Sequence, residues 1–182
     1  PMTEDAGFDV PALIGAITER TKVLFLCTPN NPTGNRIDEA DLRRILRLGL
    51  PTVIDEAYVE FARDGVTQSK LIAEFPNAIV LRTFSKAYGL AGLRVGYVLA
   101  HPAQVRLLSR VKVPWNLPSV SIAAAIAALD DAPEQSRRLD ADFRHGIRAN
   151  ALFLATTGGG ERERKTEQPS NLQSGHSGVQ AG

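Results

Sequence analysis

The residues best placed to do chemistry are one lysine and the groups around it. Lys86 lies in RTFSKAYGLAGLR, directly after Ser85 and upstream of Arg94. A lysine amine can condense with an aldehyde and later carry the α-proton of an amino acid. Asp55, in VIDEAYVEF, supplies a carboxylate of the kind that keeps an aromatic ring nitrogen protonated, because an opposite charge favours the charged form. Asn31, in CTPNNPTG, and Tyr58 offer an amide and a phenol as hydrogen-bond donors to a phenolate oxygen. Ser85 and Arg94 offer a hydroxyl and a guanidinium fork to a phosphate, and Gly89 and Gly92 let the backbone between them turn closely. Together these groups suit carbanion chemistry on an amino acid, run through an aldehyde that also bears a ring nitrogen and a phosphate. Taken singly each is weak: Asn-Pro-Thr-Gly is an ordinary turn, an Asp ending a strand is often a cap, and a lone Lys is usually solvated.

The elements that must position them follow from the apolar pattern. Residues 10–19 read as a short helix, and KVLFLC, residues 22–27, as a buried strand ending in the turn TPNNPTG. Asp38 is placed to cap a helix carrying Leu42, Ile45 and Leu46 on one face, stopped near Gly49, Leu50 and Pro51. TVID is a second strand, residues 70–75 a weaker helix, AIVLRT (78–83) a third strand and VGYVLA (95–100) a fourth. Strands alternating with helices predict an α/β layer fold with a largely parallel sheet, its ligand site beyond the carboxyl ends of the strands. Asn31, Asp55 and Lys86 all fall on that rim. After His101 and Pro102 the pattern turns helical. Val105, Leu108 and Val111 share one face, SVSIAAAIAAL reads as a core-packed helix, and Leu139, Phe143 and Ile147 recur every four residues. This predicts a partial large domain over 1–120, a helical crossover into a small domain over 121–156, and a polar, disordered tail over 157–182.

The totals narrow the partners. The chain has 182 residues, 21 basic against 20 acidic and a formal charge of +1, so it presents no broad field for nucleic acid or an anionic membrane. A small-molecule partner is expected, with no nucleic acid and no membrane, since no apolar run approaches the length of about 20 residues that spans a bilayer. The single cysteine, Cys27, excludes an internal disulfide, fits a reducing cytoplasm and reads as a small buried residue. His101 reads as a helix cap, His145 as part of a charged helix face and His176 as part of the tail, so no metal site is expected. Trp115 is expected to pack in a core. A nucleotide-binding doubly wound domain is disfavoured, because no glycine-rich phosphate loop follows the first strand. The opening PMTEDAGFDV reads like the middle of a longer protein.

CTPNNPTG, VIDEAYVEF and LRTFSKAYGLAGLRVGY resemble the fold type I pyridoxal-phosphate aminotransferases, most closely the histidinol-phosphate aminotransferases. The resemblance runs from Pro1 to about Thr156. It implies the large-domain fold of that family, a three-layer mostly parallel sheet followed by the helical start of a small C-terminal domain. It implies pyridoxal 5'-phosphate as cofactor, Lys86 as its Schiff-base lysine, Asp55 at the ring nitrogen, Asn31 and Tyr58 at the phenolic oxygen, and Ser85 and Arg94 at the phosphate, with Thr83 as a further phosphate contact. The implied reaction is a ping-pong transamination between histidinol phosphate and 2-oxoglutarate in a cytoplasmic homodimer. Threonine-phosphate decarboxylases and aromatic aminotransferases share the same lysine, aspartate and arginine, and are the alternatives within this chemistry. A reading from another class is a truncated, non-catalytic product, because the family's earlier segment and its substrate-clamping arginine have no counterpart here; Arg162 and Arg164 lie in unmatched surroundings.

Overall fold

A computed structural model of the chain describes residues 1–4, 6–62 and 66–131, all within one compact unit. Four strands make one sheet in the order β1 (Leu24–Cys27), β2 (Thr52–Asp55), β3 (Ala78–Thr83), β4 (Gly96–Ala100). The first three run parallel and β4 returns antiparallel to β3, so the sheet is mostly parallel, as expected. TVID and AIVLRT form strands over the expected residues, whereas the first strand begins at Leu24 and the helix expected over 10–19 ends early, as α1 (Val10–Gly15). The weaker helix expected at 70–75 is a 3₁₀ turn, Ser69–Ala73.

Register explains the core. Leu26, Ile54 and Val80 stand side by side on β1, β2 and β3, and all three are buried. Against that face pack Val10 of α1, then Leu42, Ile45 and Leu46 of α2 (Glu39–Leu46), with Leu71 and Phe75. Each such aliphatic side chain withdrawn from water contributes about 1.5–3 kcal/mol. On the next register row Phe25 is 62% exposed while Ile79 is buried, so the opposite face is open at the β1 edge.

Asp38 occupies the N-cap position of α2 but its side chain makes no capping hydrogen bond; the helix is stopped, as expected, at Gly49, whose φ is 76°. Asn77 then ties the exit of α2 to the sheet, its Nδ2 donating to the carbonyls of Leu46 and Leu50 at 2.9 Å each.

Beyond β4, His101 does cap α3 (Pro102–Val111), its Nδ1 accepting from the Ala103 amide at 3.3 Å. The core packing expected further on is not found. Val105, Leu108 and Val111 are exposed, and α4 (Ser119–Asp130) buries only Ser121 and Ala125. Trp115 is 97% exposed, with its backbone at φ 56°. The alanine-rich stretch is apolar all round, so its composition predicts a helix without predicting which side is covered. The repeat at Leu139, Phe143 and Ile147 and the tail lie outside the described residues. No helix among the described residues is long and apolar enough to cross a membrane.

Candidate active site

Three connections leave the carboxyl ends of β1, β2 and β3, and each is fixed by its own backbone bonds. After β1, the buried Thr28 donates its amide to Asp55 O and accepts the Ile37 amide on Oγ1, folding residues 28–37 back on themselves. Within this turn Gly34 takes φ 73° and donates to Asn30 O at 2.7 Å, while Asn30 Nδ2 donates to Thr33 Oγ1. The result holds Asn31 outward, and its Nδ2 donates to the Tyr58 hydroxyl at 3.2 Å.

Asp55 ends β2 and faces Cys27 of β1 across the ladder; its Oδ1 accepts the Ala57 amide at 3.0 Å. Tyr58 follows at the entry to a 3₁₀ turn, Val59–Phe61. After β3, Phe84 is buried against Tyr88 and Tyr97, with ring centroids 4.8 and 5.7 Å away. That anchor, with Phe84 N–H donating to Val95 O and Leu90 N–H to Phe84 O, closes loop 85–94. Gly89 turns it at φ 69°, whereas Gly92 has neither a positive φ nor a neighbour that a Cβ would meet, so close turning falls to Gly89 alone.

The exposed Lys86 sets its ammonium over the Tyr58 ring, 5.2 Å from the centroid, a cation–π arrangement. Arg94, in the left-handed region at φ 54°, points Nη1 at Ser85 Oγ, 3.5 Å away, and donates to Ala91 O at 3.0 Å. Thr83 Oγ1 accepts the Ser85 amide. Asn31, Tyr58 and Lys86 are thus brought into one cluster, and Ser85 and Arg94 into a second on the same loop as Lys86. Asp55 stands at the end of β2, with the Ala57 amide on its Oδ1. Cys27 is half-buried, with its Sγ directed at Pro29 O (3.3 Å). Burial pushes its thiol above the ordinary range, against a lowering by a backbone hydrogen bond from Asn31 and with a further raise from the Asp55 charge.

Behind the rim lies a buried ion network that residue types alone did not reveal. Glu56, next to Asp55 and 1% exposed, accepts from Arg82 Nε at 2.8 Å, Thr67 Oγ1 at 2.9 Å and the Gln68 amide at 2.5 Å. The same guanidinium donates from Nη1 to Glu60 at 2.9 Å. Glu56 and Glu60, four apart in VIDEAYVEF, with an arginine one strand away, were the available signal; pairing them required the register.

The donor set suits a molecule with a phosphate at one end and an aldehyde and phenolic oxygen at the other: hydroxyl, guanidinium and amine on the loop after β3, phenol and amide on the connections after β2 and β1. Comparison with known proteins agrees. The family described as aminotransferase class I and II matches residues 1–155. The aromatic amino acid aminotransferase of Mycolicibacterium smegmatis is 51% identical over 83% of this chain and 43% of its own length. That of Mycolicibacterium vanbaalenii is 48% identical over 84% of this chain and 45% of its own. A crystal structure of histidinol-phosphate aminotransferase from Sinorhizobium meliloti in complex with pyridoxal-5'-phosphate is 34% identical, with a TM-score of 0.64 over 76% of this chain and 39% of that one. The chain spans less than half the length of these relatives. The fold is that of the fold type I pyridoxal-phosphate enzymes. The chain belongs to the class I and II aminotransferases, whose cofactor is pyridoxal 5'-phosphate.

Proposed function

We propose that this chain carries the cofactor-binding part of a transaminase that moves the amino group of an aromatic amino acid to a 2-oxo acid. The observation that carries the reading is the single rim on which Lys86 lies over Tyr58, Asn31 reaches the same phenol, and Arg94 faces Ser85. Bound pyridoxal phosphate supplies the electron sink for the carbanion at the substrate α carbon. Lys86 Nζ holds the aldehyde end, then takes and returns the α-proton. The Asp55 carboxylate would pair with the ring nitrogen and favour its protonated form. Tyr58 and Asn31 would donate to the phenolic oxygen, and Ser85 and Arg94 would hold the phosphate, the fork of Arg94 giving direction as well as charge.

The aromatic donor is preferred because relatives at 48 and 51% identity carry that name. Histidinol phosphate, giving imidazole acetol phosphate with 2-oxoglutarate as acceptor, is the second reading; it is favoured by the Sinorhizobium meliloti structure and by the SKAYGLAGL stretch around the lysine. The test is glutamate production by the purified chain with pyridoxal phosphate and 2-oxoglutarate, offered phenylalanine, tyrosine or histidinol phosphate. Fastest glutamate release with phenylalanine or tyrosine is expected. Fastest release with histidinol phosphate would install the second reading. No glutamate from any donor, with cofactor absent from Lys86, would overturn the reading.

A further inference from the structure

We propose that Arg82 is a positioning residue that, through Glu56 and Glu60, sets the Tyr58 turn against Lys86; the proposal rests on the cofactor reading above for its consequence, though not for its geometry. Arg82 lies on β3 four residues before Lys86, and Glu60 lies two residues after Tyr58. One guanidinium therefore joins the segment that carries the amine to the segment that carries the phenol. Nε meets Glu56 at 2.8 Å and Nη1 meets Glu60 at 2.9 Å, two donors whose relative position the rigid planar fork fixes. The second end of the Tyr58 connection is fastened to the same group, since Thr67 Oγ1 and the Gln68 amide both donate to Glu56.

Register places the device behind the site. Asp55 pairs with Leu81, and the Glu56 amide continues the ladder to Leu81 O, so the next residues along, Glu56 and Arg82, turn to the opposite face from Asp55. There the network is shielded from solvent: Glu56, Glu60 and Arg82 have side chains only 1, 10 and 13% exposed. Buried charges of this kind hold geometry because each unmet contact is costly, and two carboxylates share one cation here. On the exposed side the coupling ends in the Lys86 ammonium over the Tyr58 ring, which depends on where the turn is held.

The experiment uses the 182-residue chain and Glu60→Ala, with Glu60→Gln as the conservative control. Glu60→Ala leaves Arg82 and Glu56 as a neutral pair and so spares the fold, whereas Arg82→Met leaves two buried carboxylates facing each other and is kept as a second variant. Without cofactor, hydrogen exchange over residues 57–62 in Glu60→Ala should speed up about tenfold, the loss expected for one charge-assisted hydrogen bond, with β1 and β2 amides unchanged. With pyridoxal phosphate, the fraction of Lys86 trapped by borohydride at limiting cofactor should fall, and Glu60→Gln should restore most of both effects by keeping an acceptor oxygen. Unchanged exchange over 57–62 would overturn the proposal. So would exchange that rises everywhere together with a lower melting point, which marks general support of the fold. If the unaltered chain traps no cofactor on Lys86 while Glu60→Ala still frees 57–62, the brace stands and the cofactor reading is what fails.

Discussion

The parallel part of the sheet and the helices that follow β4 are built from similar apolar residues and end in opposite states. Around β1, β2 and β3, Leu42, Ile45, Leu46, Ile54, Leu71 and Val80 lose nearly all contact with water. In α3, α4 and the link between them, Val111, Val113, Trp115, Val120 and Ile126 remain exposed, and only Ser121 and Ala125 are buried. Three of the candidate cofactor contacts, Asn31, Asp55 and Tyr58, sit on connections rooted in the first region. Lys86, Ser85 and Arg94 sit on a loop anchored by the small second cluster of Phe84, Val95 and Ala125. The candidate rim thus rests on two supports: the core of β1 to β3 for Asn31, Asp55 and Tyr58, and the small cluster that includes Ala125 of α4 for the Lys86 loop.

Substitutions can break or sharpen this contrast. Leu42→Ala or Ile54→Ala should lower unfolding free energy by about 2–5 kcal/mol in a denaturant titration, the cost of a cavity in a close-packed core. Gly96→Ala should cost about 1–3 kcal/mol, because its Cβ would lie 2.9 Å from the backbone oxygen of Arg82 and the strands would have to separate. Asn77→Ala should cost about 1–2 kcal/mol through the two carbonyls it leaves without their donor. Trp115→Ala should change stability by no more than about 0.5 kcal/mol, despite removing the largest side chain in the protein; a loss of core size there would abolish the contrast. The smallest effect is kinetic. Because burial raises the Cys27 thiol, less thiolate is present at about pH 8 than in a free cysteine, so alkylation should be slower and its rate should rise at a higher pH than for the free thiol.

The fold was legible where one local signal decided it. TVID and AIVLRT are short β-branched and aliphatic runs between turn residues, and they are strands to the residue. The Leu42, Ile45 and Leu46 face was legible from helical spacing. The candidate site was legible as a set of residue types at strand ends, which is why Asn31, Tyr58 and Lys86 could be grouped before their contacts were known. What escaped depended on distant partners. That Asp38 makes no capping bond, that Trp115 is solvated and that Gly96 is crowded by Arg82 are facts about surroundings, which residue type does not carry. The Glu56, Arg82 and Glu60 network needed the register of β2 against β3. The antiparallel return of β4 depends on how loop 85–94 reverses, with Arg94 in a left-handed conformation.

The central claim is that the rim around Lys86 is a pyridoxal-phosphate site. Its most direct test is borohydride reduction of the chain with stoichiometric pyridoxal phosphate, followed by peptide mass spectrometry, beside Lys86→Ala and Arg94→Ala. The cofactor should be found on Lys86, be absent from Lys86→Ala, and be reduced in Arg94→Ala. Cofactor spread over Lys22, Lys70 and Lys112 in proportion to their exposure, with no preference for Lys86, would contradict it.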